Sequence, residues 1–263
     1  MAGELQPWYT VHLNLAGCVY DVRVNDGPLY QNVKGFPLVV EIPVNRWLRS
    51  GANEISLHLR ALPGKTVLGN DCRCSAAVYR RNKSEEREKR TEVARLEYPG
   101  PAPVRREGGD TIVSMPFGAR LPFAMFRWFT SEEIVPGETT VAALTGELQR
   151  LHDLFAAKNL DAIAARFAVR DQEESASVYE TLTEKVADTR QLYAQLFDDS
   201  KYSLRPLYVE NARLRLFGGG RLARLEIPNG QSPLYYMTTD RQTAAYVEVI
   251  YCRGADGGWT VVR

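Results

Sequence analysis

The residues of this sequence whose types suit chemistry are few. They are Cys18, Cys72, Cys74 and Cys252, the histidines His12, His58 and His152, one carboxylate set among apolar residues, Glu248, and the arginines Arg213, Arg215, Arg221 and Arg224. Four cysteines allow three disulfide pairings. Cys72-Arg73-Cys74 is too tight to close on itself, so Cys18 bonded to either member is the pairing expected in an oxidising compartment, and free thiols elsewhere. Metal ligation asks for more: the one-residue gap is shorter than the usual gap of roughly two to four residues, and no histidine stands beside it. Neither a metal nor a cofactor is expected. In Tyr246-Val247-Glu248-Val249-Ile250-Tyr251, alternation sets Glu248 on one face with Tyr246 and Ile250. Turned inward, its pKa would rise and fit it for general-base work. Turned outward, it would pair with an arginine on the neighbouring strand, worth about 0.2–1 kcal/mol, and this is the simpler reading. The four arginines crowd around Gly218-Gly219-Gly220. Their forks suit a phosphate or an acidic partner, which makes them surface-binding candidates. The triglycine, however, lies between two strand-like runs, as a hairpin turn does, and does not lead into a helix as a phosphate loop does.

The elements that must position these groups fall into two kinds. From Trp8 to about Arg60 the period is two: Tyr9, Val11, Leu13 and Leu15 alternate with polar residues, 19–24 repeats the pattern, and Asn25-Asp26-Gly27-Pro28 is turn chemistry. Further on, Ile55, Leu57 and Leu59 point one way while Ser56, His58 and Arg60 point the other. The mixed-sign run 84–95 reads as a solvated arm. Strand-like character resumes at 111–115 and 121–129, so the first domain is expected to end near Phe129 to Pro136. The apolar run 122–129 reads as a seam between domains more readily than as an exposed docking patch. After Pro136 the period becomes helical: Leu144, Leu148, Leu151 and Phe155 share a face, Ile163 and Phe167 follow the break at Asn159, and a longer helix carries Val178, Leu182, Val186, Tyr193 and Leu196. Strands return at 203–209, 214–217, 222–227, 234–238, 245–252 and 259–263.

Two domains, 1–136 and 137–263, also suit the length. The charges nearly cancel, 33 Lys and Arg against 32 Asp and Glu. That balance offers no long-range attraction for nucleic acid or an anionic membrane. No run approaches the roughly 20 apolar residues of a membrane helix. The start lacks the basic and apolar segments of a secretory signal, so a soluble chain is expected, periplasmic if a signal has been removed and otherwise cytoplasmic.

The segment LQRLHDLFAAKNLDAIAARFA, 148–168, followed by a long helix and strands ending in Gly258-Trp259-Thr260-Val261-Val262, resembles the nuclear transport factor two-like superfamily, also called ketosteroid-isomerase-like or SnoaL-like. The resemblance covers about 141–263. It implies an α+β domain whose helices pack in a curved antiparallel sheet around a conical cavity, with Tyr193, Tyr208, Tyr246 and Glu248 as candidates to reach the interior and His152 and Asp153 on the first helix. No acid–tyrosine pair maps onto a catalytic pattern. The segment 44–62, with the Asn25–Gly27 hairpin before it and the Gly51-Ala52-Asn53 turn within it, resembles galactose-binding-like or jelly-roll β-sandwich modules. In those modules the turn is structural, glycine supplying positive φ and asparagine bonding backbone. Trp47 is the residue that would stack on a sugar, or else plug the sandwich.

The expected fold is therefore an all-β sandwich followed by an α+β domain. The expected function is that of a non-catalytic binding or interaction protein of bacterial type, in an immunity, adaptor or envelope-associated role, with another protein as partner and a homodimer left open. Two alternatives stand beside it: a ketosteroid-isomerase-like enzyme with Glu248 or Asp153 as base, and a carbohydrate-binding protein acting through the sandwich.

Overall fold

Alternation in the first half becomes two packed sheets. A computed structural model describes residues 5–263, and the chain divides into two compact units, Met1–Met125 and Phe126–Arg263. In the first unit the strands are β1 (Pro7–Ala16), β2 (Val19–Val24), β3 (Gly27–Asn32), β4 (Leu38–Pro43), β5 (Gly51–Arg60), β6 (Arg73–Asn82), β7 (Thr91–Tyr98), β8 (Val104–Glu107) and β9 (Asp110–Ala119). They form a four-stranded sheet, β4-β1-β6-β7, and a five-stranded sheet, β3-β2-β5-β9-β8. Every pairing is antiparallel. The core is made of the alternating apolar positions: Tyr9, Val11, Leu13 and Leu15 on β1, and Ile55, Leu57 and Leu59 on β5, are buried. Such a set has a single sheet face to bury, so its register is strongly specified.

The turns are as local as their residues suggest. Asn25 and Asp26 both take positive φ, 52° and 59°, which is the two-residue turn whose twist matches a hairpin. Asn25 Nδ2 donates to Trp47 O and to Asn53 Oδ1, both at 2.7 Å. Asn53 Nδ2 in turn donates to the carbonyls of Arg49 and Gly51. The Gly51–Asn53 turn is thus tied down by its own amide. Residues 84–89 are exposed in the connection from β6 to β7.

The second unit holds α1 (Glu138–Ala156), α2 (Leu160–Val178) and α3 (Leu182–Leu196), then β10 (Tyr202–Leu204), β11 (Arg213–Phe217), β12 (Leu222–Glu226), β13 (Tyr235–Thr238), β14 (Ala244–Tyr246), β15 (Tyr251–Arg253) and β16 (Trp259–Val261). Leu144, Leu148, Leu151 and Phe155 form the buried face of α1. Asn159 caps α2 by accepting from Ala162 N at 3.1 Å. The single long helix expected around 178–196 is divided: Tyr179 ends α2 in a left-handed conformation, and Thr181 opens α3 with a capping box to Glu184, two strong local signals that periodicity alone passes over.

The expected fold class needs correction. The chain is mostly β, with four sheets among the described residues and three α-helices. The strands after the helices do not make one curved sheet enfolding them. They form two sheets, β10-β13-β14 and β11-β12-β15-β16. The break falls inside the run read as one strand, 245–252. Residues 247–250 are outside any strand, and Val249 and Ile250 are buried in succession, so the alternation fails where the chain crosses from one sheet to the other. There Val247 N donates to Leu234 O and Ile250 N to Arg263 O, each anchoring a different sheet's surroundings. The interior of this unit is packed with side chains. Phe155 meets Tyr193, Phe197 and Tyr236 edge-on at 5.0–6.2 Å, within a cluster that includes Ile163, Phe167, Leu225 and Tyr251. No helix among the described residues is long and apolar enough to cross a membrane.

Candidate functional site

Period two gives a buried sheet face and, opposite it, a polar one. In the five-stranded sheet that polar face gathers charge. The registers pair Asp21 with His58, His58 with Ile112, and Ile112 with Arg105, a row across β2, β5, β9 and β8. The next row pairs Arg23 with Ser56 and Ser56 with Ser114. Between these rows and the β8–β9 turn lies a cleft of about 470 Å³, lined by Arg23, Asp26, Glu54, Ser56, His58, Arg105, Glu107, Gly108, Asp110 and Ile112. Its volume is within the range of small-molecule sites.

The floor of the cleft is a hydrogen-bonded charge network. Arg23 donates from Nε and Nη2 to Asp21 Oδ2, at 3.0 and 2.7 Å, and from Nη1 to Asp26 Oδ1 at 2.6 Å. Arg60 Nε lies 2.8 Å from Asp110 Oδ1. Burial alone would raise the Asp110 carboxyl; the neighbouring His58, with Arg60 and Arg23, outweighs it and holds the carboxyl below the usual carboxylate range. Burial alone would lower Arg23, and the carboxylates of Asp21 and Asp26 outweigh it and raise it. Both groups therefore stay charged at neutral pH.

Ser56 Oγ is 3.2 Å from His58 Nε2, and His58 Nδ1 is 3.7 Å from Asp110 Oδ2. The order serine, histidine, carboxylate is that of a nucleophilic relay. Two features weigh against that use. The His58–Asp110 separation is beyond hydrogen-bond range. Ser56 also sits in mid-strand with paired neighbours on both sides, where its backbone serves the sheet ladder and cannot form the sharp, exposed turn that presents a nucleophile beside an oxyanion hole. The arrangement suits recognition.

A second cluster lies at the corner where β1 passes into β2. Cys18, Cys72 and Cys74 are all buried, with their sulfurs within 4.8 Å of one another. Cys18 Sγ and Cys74 Sγ are 3.4 Å apart. Gly17 makes this approach possible. It takes φ +76°, and a Cβ there would stand 2.5 Å from Asp71 O and 2.8 Å from Cys72 N. Hydrogen bonds from Cys18 and Cys74 pull the Cys72 thiol down to about 4. Cys18 is raised by giving its proton toward Cys72 and Cys74, with burial adding to it. Cys252 is also buried, in the second unit, and burial pushes it up to about 11.

The residues singled out from the sequence are placed apart. Trp47 is 1% exposed, and a Cβ on Gly27 would lie 2.3 Å from its ring; it is buried in the core of the first unit and is not available to stack on a sugar. Tyr193 is buried in the helical core, its hydroxyl accepting from Arg170 Nη1 at 2.9 Å. Tyr208 is exposed. Tyr246 is half-buried on β14, packed against Tyr235, and its hydroxyl accepts from Asn229 Nδ2. Glu248 is exposed and lies 3.5 Å from Arg224 Nη1, the outward, paired arrangement. Arg224 is buried and donates from Nε to Glu226 at 2.6 Å. Arg215 reaches the same carboxylate at 3.9 Å. Arg221 bonds Ser131 O, and Arg213 is exposed. Arg215 and Arg224 are thus engaged in a charge ladder on the sheet, and Gly218–Gly220 is the β11–β12 hairpin turn. His152 Nε2 lies 3.0 Å from Arg205 O, and Asp153 accepts from Gln149.

Sequence reasoning passed over the cleft residues. Its signal was the polar half of each alternation, seen for Ser56, His58 and Arg60, but their neighbours come from strands far away in the chain. Comparison of the chain with protein-family models, with curated proteins and with solved structures gives no match.

Proposed function

We propose that this chain is a non-catalytic binding protein whose first unit takes a neutral, hydroxyl-rich ligand, a saccharide, in the cleft on the polar face of the five-stranded sheet. One observation carries the reading: a ligand-sized cleft whose lining is almost wholly charged and polar, with Ile112 its one aliphatic side chain. Fixed carboxylates and guanidiniums present paired acceptors and donors, which is what sugar hydroxyls require, and hydrogen bonds to charged groups are worth about 1.5–3 kcal/mol. The lining carboxylates Asp26, Glu54, Glu107 and Asp110 outnumber Arg23 and Arg105, so an anionic ligand such as a nucleotide would be repelled. An apolar ligand would find little to bury against. The likeness of 44–62 to galactose-binding-like modules points the same way.

A glycan array followed by calorimetry on the responding sugar tests this. Arg105 and Glu107 stand at the exposed rim, with side chains 68% and 67% accessible, so the double variant Arg105→Ala/Glu107→Ala leaves the fold alone. Its expected effect is a fall in affinity of about tenfold or more. Absence of any glycan response from the wild type, or undiminished binding by the variant, would sink the reading.

A further inference from the structure

We propose that Cys18, Cys72 and Cys74 form a three-thiolate site for a soft d10 cation, Zn(II) or Cu(I), a site separate from the saccharide cleft and independent of it. The geometry is the first support. A metal–sulfur bond of about 2.3 Å places sulfurs about 3.8 Å apart in a tetrahedral site and about 4.0 Å apart in a trigonal one. The three sulfurs here lie 3.4 Å apart for Cys18 and Cys74 and within 4.8 Å for the whole set, so a cation fits among them with small side-chain rotations. The chemistry is the second support. Thiolate ligands select Zn(II) and Cu(I) over hard cations. No fourth histidine, cysteine or carboxylate joins the cluster among the described residues. That leaves three-coordinate Cu(I), or Zn(II) with one position open to an outside ligand.

The short Cys72–Cys74 spacing does not oppose this. Cys74 is the second residue of β6 and Cys72 stands just before the strand, and residues two apart near a strand point to the same side, so the two thiols need no longer loop to converge. The third thiol comes from the β1–β2 corner, pressed against residues 71–72 by Gly17. A cleft of about 200 Å³ lies on the outer face of the sheet beside Arg73 and Ser75, with Cys74 among the residues bordering it.

The test uses the full chain, reduced and stripped of metal under anaerobic conditions. One sample is titrated with Co(II) as the spectroscopic stand-in for Zn(II), and another with Cu(I) against a chromophoric chelator. The expected result is one equivalent bound in at least one of the two titrations, the responding arm naming the metal. Cys18→Ser, Cys72→Ser and Cys74→Ser are each expected to weaken it by about 100-fold or more, while Cys252→Ala binds as the wild type does. Should the serine variants fail to fold, the thiolate-to-metal charge-transfer intensity of the wild type in the responding arm, visible and near-ultraviolet for Co(II) and ultraviolet for Cu(I), counts the thiolates directly, and fewer than three would overturn the site. So would the absence of stoichiometric uptake in both arms, or a Cys18–Cys72 or Cys18–Cys74 disulfide in peptide maps of protein purified without reductant together with no uptake after its reduction.

Discussion

Asp171 is completely buried in α2, and its neighbour Arg170 pairs with it there. Arg170 donates from Nε and Nη2 to Asp171 Oδ1 at 2.9 and 2.7 Å and from Nη2 to Thr189 Oγ1 at 3.0 Å, and its guanidinium lies 4.1 Å from the centre of the Phe167 ring. A pair taken out of water in this way adds little net stability when intact, but removing one partner strands the other. Arg170→Ala is therefore expected to cost about 3–5 kcal/mol in urea unfolding, and adding Asp171→Ala to recover part of it. A double variant no more stable than Arg170→Ala would show that the loss comes from packing on Phe167 and Tyr193. Asp110 gives a pH-dependent case. Its carboxyl is held low by His58, Arg60 and Arg23, against the pull of burial. A group depressed in the folded state stabilises above its unfolded pKa, about 3.9, and that contribution is lost as pH falls through the folded value. Asp110→Asn should be less stable than the wild type at pH 7, by about 1 kcal/mol, and the difference should vanish in acid. Acid-titrated unfolding curves that stay parallel to pH 2 would contradict this.

At the scale of elements, the β2–β3 hairpin and the turn after Trp47 hold each other. Asn25 bridges Trp47 O and Asn53, while the Trp47 ring lies over Gly27. Gly27→Ala sets a methyl into that ring at a position whose φ is ordinary, so its cost is overpacking alone, about 1–3 kcal/mol. Trp47→Ala leaves a void and is expected to cost about 3–5 kcal/mol. Because Trp47 is buried away from the cleft lining, the variant should still give any glycan signal wherever it remains folded. Thermal unfolding and the array, run on the same samples, separate stability from recognition; a Trp47→Ala protein that is folded yet silent on the array would return the tryptophan to the binding site.

At the scale of the molecule, the strand pairings and the apolar cluster of the second unit stay within units divided between Met125 and Phe126. Residues 120–125 lie outside strands and helices, and Pro122, Ala124 and Met125 are exposed. Exposed chain outside regular elements is where proteases cut. Limited proteolysis is expected to cleave first in 120–125 and to leave two fragments that each unfold cooperatively; a first cut inside either unit, or fragments without a transition, would contradict two independent cores. The domain boundary read from the change of period lay further along, near Phe129 to Pro136, because Phe126 and Trp128 continue an apolar run that resembles strand. In the fold they are buried residues of the second unit, Trp128 lying close over Gly218.

What the sequence alone determined is what neighbours a few residues apart can decide. Alternation fixed which face of β1 and β5 is buried, Asn25-Asp26 fixed a hairpin, the three- and four-residue spacing of Leu144 to Phe155 fixed a helix face, and Gly218–Gly220 fixed a turn. Each depends on contacts within one element or one reversal, and a short segment carries them in full. Tertiary structure decided the rest: that the strands after the helices divide into two sheets, that Cys18 meets Cys72 and Cys74, and that Arg23, Ser56, His58 and Asp110 line one cleft. Those outcomes depend on strand order and on which corners press together. The energy that selects them comes from burying whole faces against each other, and no local spacing records it.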